Sequence, residues 1–355
     1  MIPAASEAAQ PLSRQFDAAL LDLDGTVYLG GVVIPEVPAA LERARTDGMK
    51  CVFVTNNASR PPAVVADILT AMGVPATAEA VLTSPEAAAD MLAAAHPAGS
   101  RVLILGTQHL VDCVRAVGLE PVHTAADAPI AVVQGLSQEL GWPQLAEACI
   151  ALRTGADWVA TNIDATLPTD RGMLPGNGSL VAALVTATGL HPRVAGKPER
   201  PLLDTAIARV SSQRPLVVGD RLDTDIEAAV TAGIPSLMPL TGVNSAADVL
   251  TAPLARRPTH VSFDLRGLVD PTRAVELAAT SPAPGSWSFE TDSAGTHVHS
   301  SPGAPEQPHE DAVALSLLAA VAQRSWQSDE PAALQTFVAG DDRARAALVR
   351  LGLGG

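Results

Sequence analysis

A short apolar run over residues 18–21 leads directly into Asp22-Leu23-Asp24-Gly25-Thr26. An unbroken apolar run of this length marks a strand buried on both faces, the kind found in parallel sheets covered by helices. Residues i and i+2 of an extended chain face one side, so the carboxylates of Asp22 and Asp24 are expected to converge at the carboxyl end of that strand. Open α/β sheets place their ligands there. Gly25 permits the sharp turn that follows. Two carboxylates in one place repel each other, which calls for a cation or a shared proton. The plain alternative is a polar strand end with a turn.

The same arrangement recurs along the chain. Apolar runs at 18–21, 50–54, 102–105, 130–133, 158–160, 193–195 and 216–218 read as strands. Ala-rich helical stretches separate them, at 37–46, 62–72, 85–95, 107–117, 142–154, 178–188, 201–210 and 224–232. This alternation predicts an α/β protein built on a Rossmann-like, doubly wound parallel sheet. Several of these strands end in polar residues. Thr55-Asn56-Asn57 follows 50–54 and can hold phosphate oxygens, though the same residues are ordinary turn formers. Lys197 follows 193–195, and Asp220 closes the run 216–218 through Gly219. Asp220 reads as an oxygen ligand for a hard cation such as Mg²⁺. Asp223 and Asp225, just beyond, read equally well as a helix cap and a first-turn acid.

Composition narrows the partners. The 355 residues carry 23 Lys+Arg against 38 Asp+Glu, a net charge of −15, which excludes a general nucleic-acid binder. No stretch approaches the roughly 20 apolar residues a spanning helix needs. The N-terminal residues also lack the basic and apolar regions of a secretory leader. Cys51, Cys113 and Cys149 show no metal-ligand spacing, and their odd number fits a reducing, cytoplasmic setting. Lys50 and Lys197 stand alone among many arginines, so a lysine at a strand end is conspicuous.

Asp22/Asp24, Thr55-Asn56, Lys197 and Asp220 occur in the order of the four motifs of the haloacid dehalogenase superfamily, which the chain resembles over residues 16–265. The branch it resembles contains phosphoglycolate, 4-nitrophenyl phosphate and glycerol phosphate phosphatases. Thr55-Asn56-Asn57, Gly196-Lys197-Pro198, the run from Gly219 to Ile226 and Pro175-Gly176-Asn177-Gly178 carry that resemblance. It implies Asp22 as nucleophile and Asp24 as general acid and base. It also implies Mg²⁺ held by Asp22, the Asp24 backbone carbonyl and Asp220, with Asp223 and Asp225 behind them. Thr55, Asn56, Asn57 and Lys197 would bind the phosphoryl group. Arg60, Asn162, Asp164 and Arg171 are candidate substrate contacts. The substrate implied is a small phosphomonoester, glycerol 3-phosphate first, with phosphoglycolate, aryl and nucleotide phosphates as alternatives. A catalytically quiet binding or regulatory protein is the remaining reading.

The expected organisation is a flexible N-terminus (1–15), a phosphatase core (16–79 with 191–265), an inserted α/β cap (80–190) and a C-terminal extension (266–355). The extension has two short strands at 287–290 and 296–299, with helical periodicity at 310–326, 330–338 and 342–351. It predicts a small α+β module. Residues 341–353 resemble the end of a Gcn5-related acetyltransferase, but the acyl-CoA phosphate-binding signature is missing. A partial, non-catalytic module that packs on the phosphatase or supports a homo-oligomer, through itself or the cap, is expected.

Overall fold

The computed structural model describes residues 10–169, 171–277, 286–293, 295–303, 306–326 and 336–354. The protein is α/β and divides into two compact units. The first joins residues 1–51 to 212–355, and the second is the continuous stretch 52–211.

The first unit is organised by Ala18–Leu21, every residue of which is at most 1% exposed. It pairs in parallel with Pro215–Val218, then Ser236–Pro239 and His260–Ser262 follow in parallel, and Ala274–Glu276 adds an antiparallel edge. Strands buried on both faces have no polar side to show, which explains the unbroken apolar runs. Residues 10–15 depart from the expected loose terminus. Leu12–Gln15 forms a helical turn that buries Leu12 and Ser13, and the Ser13 hydroxyl donates to Asp47 at 2.7 Å. Residues 1–9 lie outside the described residues.

The extension supplies the paired strands Trp287–Asp292 and Gly295–Ser300, with Phe337–Ala339 added in parallel. Helices Glu310–Ser325 and Asp342–Leu351 pack against them. The helix expected at 330–338 is therefore corrected. Residues 330–335 lie outside the described residues, and Phe337 to Ala339 are strand, with Phe337 buried. Among the described residues, the extension shares its core with the sheet. Leu315, Leu318, Val321, Leu348 and Leu351 share one buried cluster with Ile226, Met238, Val249 and Val261 of the sheet region. Asp311 ties the junction by pairing with Arg273 at 2.9 Å and Arg350 at 2.8 Å, and Arg350 lies 3.9 Å over the Phe263 ring.

The second unit carries a parallel five-stranded sheet. Its order is Arg193–Val194, Asp157–Ala160, Ala131–Gln134, Arg101–Leu105, Glu120–Val122. Leu103, Leu105, Val132 and Trp158 of that sheet pack against Ala148, Leu152, Val181 and Leu184 of helices Trp142–Arg153 and Asn177–Thr188. An antiparallel hairpin, Thr166–Thr169 with Gly172–Pro175, sits between strand and helix, and its second strand is exposed along its whole length. The strand Lys50–Thr55 crosses the sequence boundary between the units, and its last three residues pair in parallel with Val81–Thr83, setting Thr55 beside Thr83.

Candidate active site

In the first unit the chain leaves Ala18–Leu21 and turns at once. Gly25 has φ +91°, a conformation that favours glycine, and its N–H donates to the Tyr28 carbonyl at 2.7 Å. The turn lets Asp220, from the end of Pro215–Val218, stand directly against Gly25. A Cβ there would overlap the Asp220 carboxylate, and so would one on Gly242. Asp220 is fully buried between these two glycines. Its Oδ1 accepts the Thr26 hydroxyl at 3.2 Å and its Oδ2 accepts the Val243 N–H at 2.7 Å.

Carboxylate oxygens of Asp22, Asp220 and Asp225 all lie within 4.8 Å of one another. Burial, with the charge of Asp225 added, pushes Asp220 up to about 6 despite its hydrogen bonds. Three carboxylates so close, two of them buried, are an all-oxygen donor set for a hard divalent cation. The residues therefore fit Mg²⁺.

Asp24 is exposed and is not one of this trio. The strand ends at Leu21, so both aspartates lie in the turn that follows it. Asp225 comes closer than a first-turn acid would, because residues 222–226 wind as a wide π-helical turn before the α-helix Glu227–Ala232. Asp223 faces elsewhere and forms a two-pronged pair with Arg221 at 3.0 and 2.9 Å, which holds its carboxyl below the usual range.

Sequence reasoning missed the loop that follows Ser236–Pro239. There the Thr241 hydroxyl donates to the Gly25 carbonyl at 2.6 Å, and Asn244 accepts the Leu222 N–H at 2.9 Å. The available signal was a strand ending in Thr-Gly-Val-Asn, obscured because Pro239 argues against a central strand.

In the second unit Asn56 is the hub. Its Oδ1 accepts the Lys197 N–H at 2.8 Å, while its Nδ2 donates to the Lys197 carbonyl at 2.9 Å and to Asp164 at 3.4 Å. The side-chain amide expected to bind phosphate is thus committed to the backbone of Lys197. Gly196 makes this approach possible, since a Cβ there would overlap Asn56 Oδ1 and the Thr161 carbonyl. Lys197 is 3% exposed, and its ammonium donates to the Val54 carbonyl at 3.3 Å.

Thr55 is buried and accepts the Asn57 N–H at 3.1 Å. Asn57 turns outward and accepts from Ser59, the role of a turn former. Asn162, a candidate substrate contact, is buried and donates to the Asn56 carbonyl at 2.8 Å. Ser84, which sequence reasoning passed over, donates to the same carbonyl at 2.8 Å. Arg60 and Arg171 are both exposed, and the Arg171 N–H closes the hairpin turn onto Thr169 at 3.2 Å. Asp170 lies outside the described residues.

Residues 19–120 match the family model of haloacid dehalogenase-like hydrolases, and residues 194–268 match a second, HAD-hydrolase-like model. A D-glycerol 3-phosphate phosphatase of Mycobacterium tuberculosis is 48% identical over 345 residues, covering 96% of each chain. The chain belongs to the haloacid dehalogenase-like hydrolases. Within them it falls in the phosphatase branch. A 5'-nucleotidase of Bacillus subtilis is 36% identical over 249 residues, 70% of this chain and 95% of that one. A crystal structure of the mycobacterial glycerol phosphate phosphatase in complex with magnesium is 48% identical and covers 97% of this chain and 99% of that chain. Its TM-score is 0.85. Since coverage of the mycobacterial relative is nearly complete, the extension is common to both proteins.

Proposed function

We propose that this phosphatase hydrolyses a small phosphomonoester, glycerol 3-phosphate first, with Mg²⁺ and through an aspartyl-phosphate. The observation that carries the reading is the trio of converging carboxylates at the end of Ala18–Leu21, in a chain 48% identical to a D-glycerol 3-phosphate phosphatase.

Asp22 attacks phosphorus. Its oxygen–phosphorus bond forms as the ester oxygen–phosphorus bond breaks, and Asp24 gives the departing alcohol its proton. Asp24 then takes a proton from the water that attacks the aspartyl-phosphate, which releases phosphate and restores Asp22. Lys197 and Thr55 hold the phosphoryl oxygens, where charge develops. Asp22, Asp220 and the Asp24 backbone carbonyl hold the metal, with Asp225 within reach. Bound Mg²⁺ supplies positive charge to the phosphoryl oxygens in a protein that is otherwise strongly acidic.

The division into a core (16–79 with 191–265) and an inserted cap (80–190) belongs to this reading, with Asp164, Arg60 and Arg171 as substrate contacts. The extension (266–355) is read as a non-catalytic, acetyltransferase-like module, a role supported by the core it shares with the sheet. Self-association through the cap or extension also belongs here and is measured by sedimentation. Cys51, Cys113 and Cys149 are free thiols, which supports a reducing cytoplasmic setting, and no helix among the described residues is long and apolar enough to cross a membrane.

A second reading, a 5'-nucleotidase, is favoured by the 36% identity to the Bacillus enzyme. Phosphate release from a panel of glycerol, nucleotide, aryl and glycolate phosphates with Mg²⁺ separates the two. Highest kcat/KM on glycerol 3-phosphate is expected, and a preference for nucleotides replaces the first reading with the second.

A further inference from the structure

Three asparagines of the second unit form one hydrogen-bonded relay that ends on Lys197. Asn177 donates through Nδ2 to the carbonyls of Asn162 at 2.7 Å and Gln134 at 3.3 Å. Asn162 donates through Nδ2 to the carbonyl of Asn56 at 2.8 Å, and its Oδ1 takes the Asp164 N–H at 3.2 Å. Asn56 in turn clasps the N–H and the carbonyl of Lys197. Each upstream donor therefore holds the backbone of the next link.

The glycines of Pro175-Gly176-Asn177-Gly178 are what bring Asn177 into place. A Cβ on Gly176 would overlap the Asp164 carbonyl, and one on Gly178 the Ile163 carbonyl. Asn177 is 1% exposed, and its Oδ1 has no hydrogen-bond partner within the protein. Both amide atoms of the fully buried Gln134 are in the same condition. A buried amide that satisfies only its donor costs stability where an apolar residue of similar size would fill the space. The donor is the part the architecture uses.

We propose that Asn162 and Asn177 are positioning residues for Lys197, acting through the Asn56 clasp. The inference rests on the reading of Lys197 as a phosphate-binding group. A lysine ammonium rides on a flexible stem, so its reach is set by where the backbone is anchored. A displacement of about 1 Å in a positioned group can cost about 100-fold in a reaction that depends on it. The relay also joins Lys197 to the exit of the hairpin strand Gly172–Pro175 through Asn177.

The test uses the full chain with Asn162→Ala and Asn177→Leu, each deleting an Nδ2 donor without adding charge. The readouts are the inhibition constant of inorganic phosphate and, separately, the dissociation constant of Mg²⁺ measured without phosphate. We expect the phosphate constant to rise about 10-fold for Asn162→Ala and about 3-fold for Asn177→Leu, with Mg²⁺ binding within 2-fold of wild type. Adding Asn162→Ala to Asn56→Ala should cost little more than Asn56→Ala alone, because one acts through the other. An unchanged phosphate constant in the folded variants overturns the proposal, and so does an equal loss of phosphate and Mg²⁺ binding. Should Asn162→Ala fail to fold, Asn177→Leu carries the same comparison. A wild-type protein that hydrolyses no phosphomonoester refutes the function itself, an outcome distinct from an active wild type with unaffected variants.

Discussion

The carboxylate trio of the first unit and the Asn56 hub of the second hold their functional groups by opposite means. Asp220 is gripped by a hydroxyl, a backbone N–H and two glycines that leave it no room, and the charge of Asp225 still presses on it. Lys197 is gripped by a neutral amide whose donor and acceptor both go to its backbone. The first centre stores electrostatic repulsion for a cation to relieve, whereas the clasp on the Lys197 backbone is uncharged and fixes position. A chain with net charge −15 thereby separates the handling of charge from the handling of placement.

The comparison breaks most severely at Asp22. Asp22→Asn should keep the fold and lose about 10³-fold or more of kcat/KM, read by phosphate release. Near-normal turnover would remove the nucleophile from the acidic centre. Asp220→Asn should weaken Mg²⁺ binding by at least about 10-fold in a metal titration, and chelation of the wild type should abolish turnover. If the acidic centre acts through charge, Asp220→Asn must not weaken the direct binding of phosphate to the metal-free protein, because it removes a repelling carboxylate.

Asn56→Ala tests the other side. It strands both Lys197 backbone groups in a buried setting and should cost about 2–3 kcal/mol in denaturant unfolding. It should also weaken phosphate binding, with Mg²⁺ affinity kept. Equal effects on the two ligands would mean that placement and charge are not separate after all.

The smallest effect belongs near the far edge of the first unit's sheet, where His260 begins the strand next to Ala274–Glu276. Burial holds its imidazole below the usual value near 6.5, against a hydrogen bond with the Ser236 carbonyl. Its stabilising contribution is complete above about 6.5 and is lost as pH falls toward the lowered folded value, because the unfolded chain takes the proton first. His260→Gln should make the decline of stability below pH 6.5 shallower, by no more than about 1.4 kcal/mol per pH unit. An unchanged slope would show that this edge contributes no proton linkage.

Sequence reading reached the elements whose burial is uniform and whose ends are punctuated. Val37–Thr46 and Pro201–Val210 fall where proline and periodicity place them. Asp22, Lys197 and Asp220 were legible because each follows an apolar run directly. Ser236–Pro239 was not, since its prolines argue against a strand that the structure buries completely. The closeness of Asp225 depends on a π-helical turn that no residue type announces. Asn56 and Asn162 were legible as polar strand-end residues and illegible as clasps, because a hydrogen bond to a distant backbone leaves no mark on local spacing. The extension's last strand escaped for the reverse reason, the Ala332-Ala333-Leu334 run before it reading as helix up to the residue where Phe337 pairs with Thr296.

The discontinuity of the first unit sets an order in time. Ala18–Leu21 gains its pairing with Pro215–Val218 only after roughly 200 further residues have been made. The buried cluster draws on residues as late as Leu353. At about 5–20 residues per second, that one pairing is delayed by on the order of 10–40 s. The second unit, continuous over 52–211, can finish first. During that interval the edge of Ala18–Leu21 that will receive Pro215–Val218 is open to other pairings.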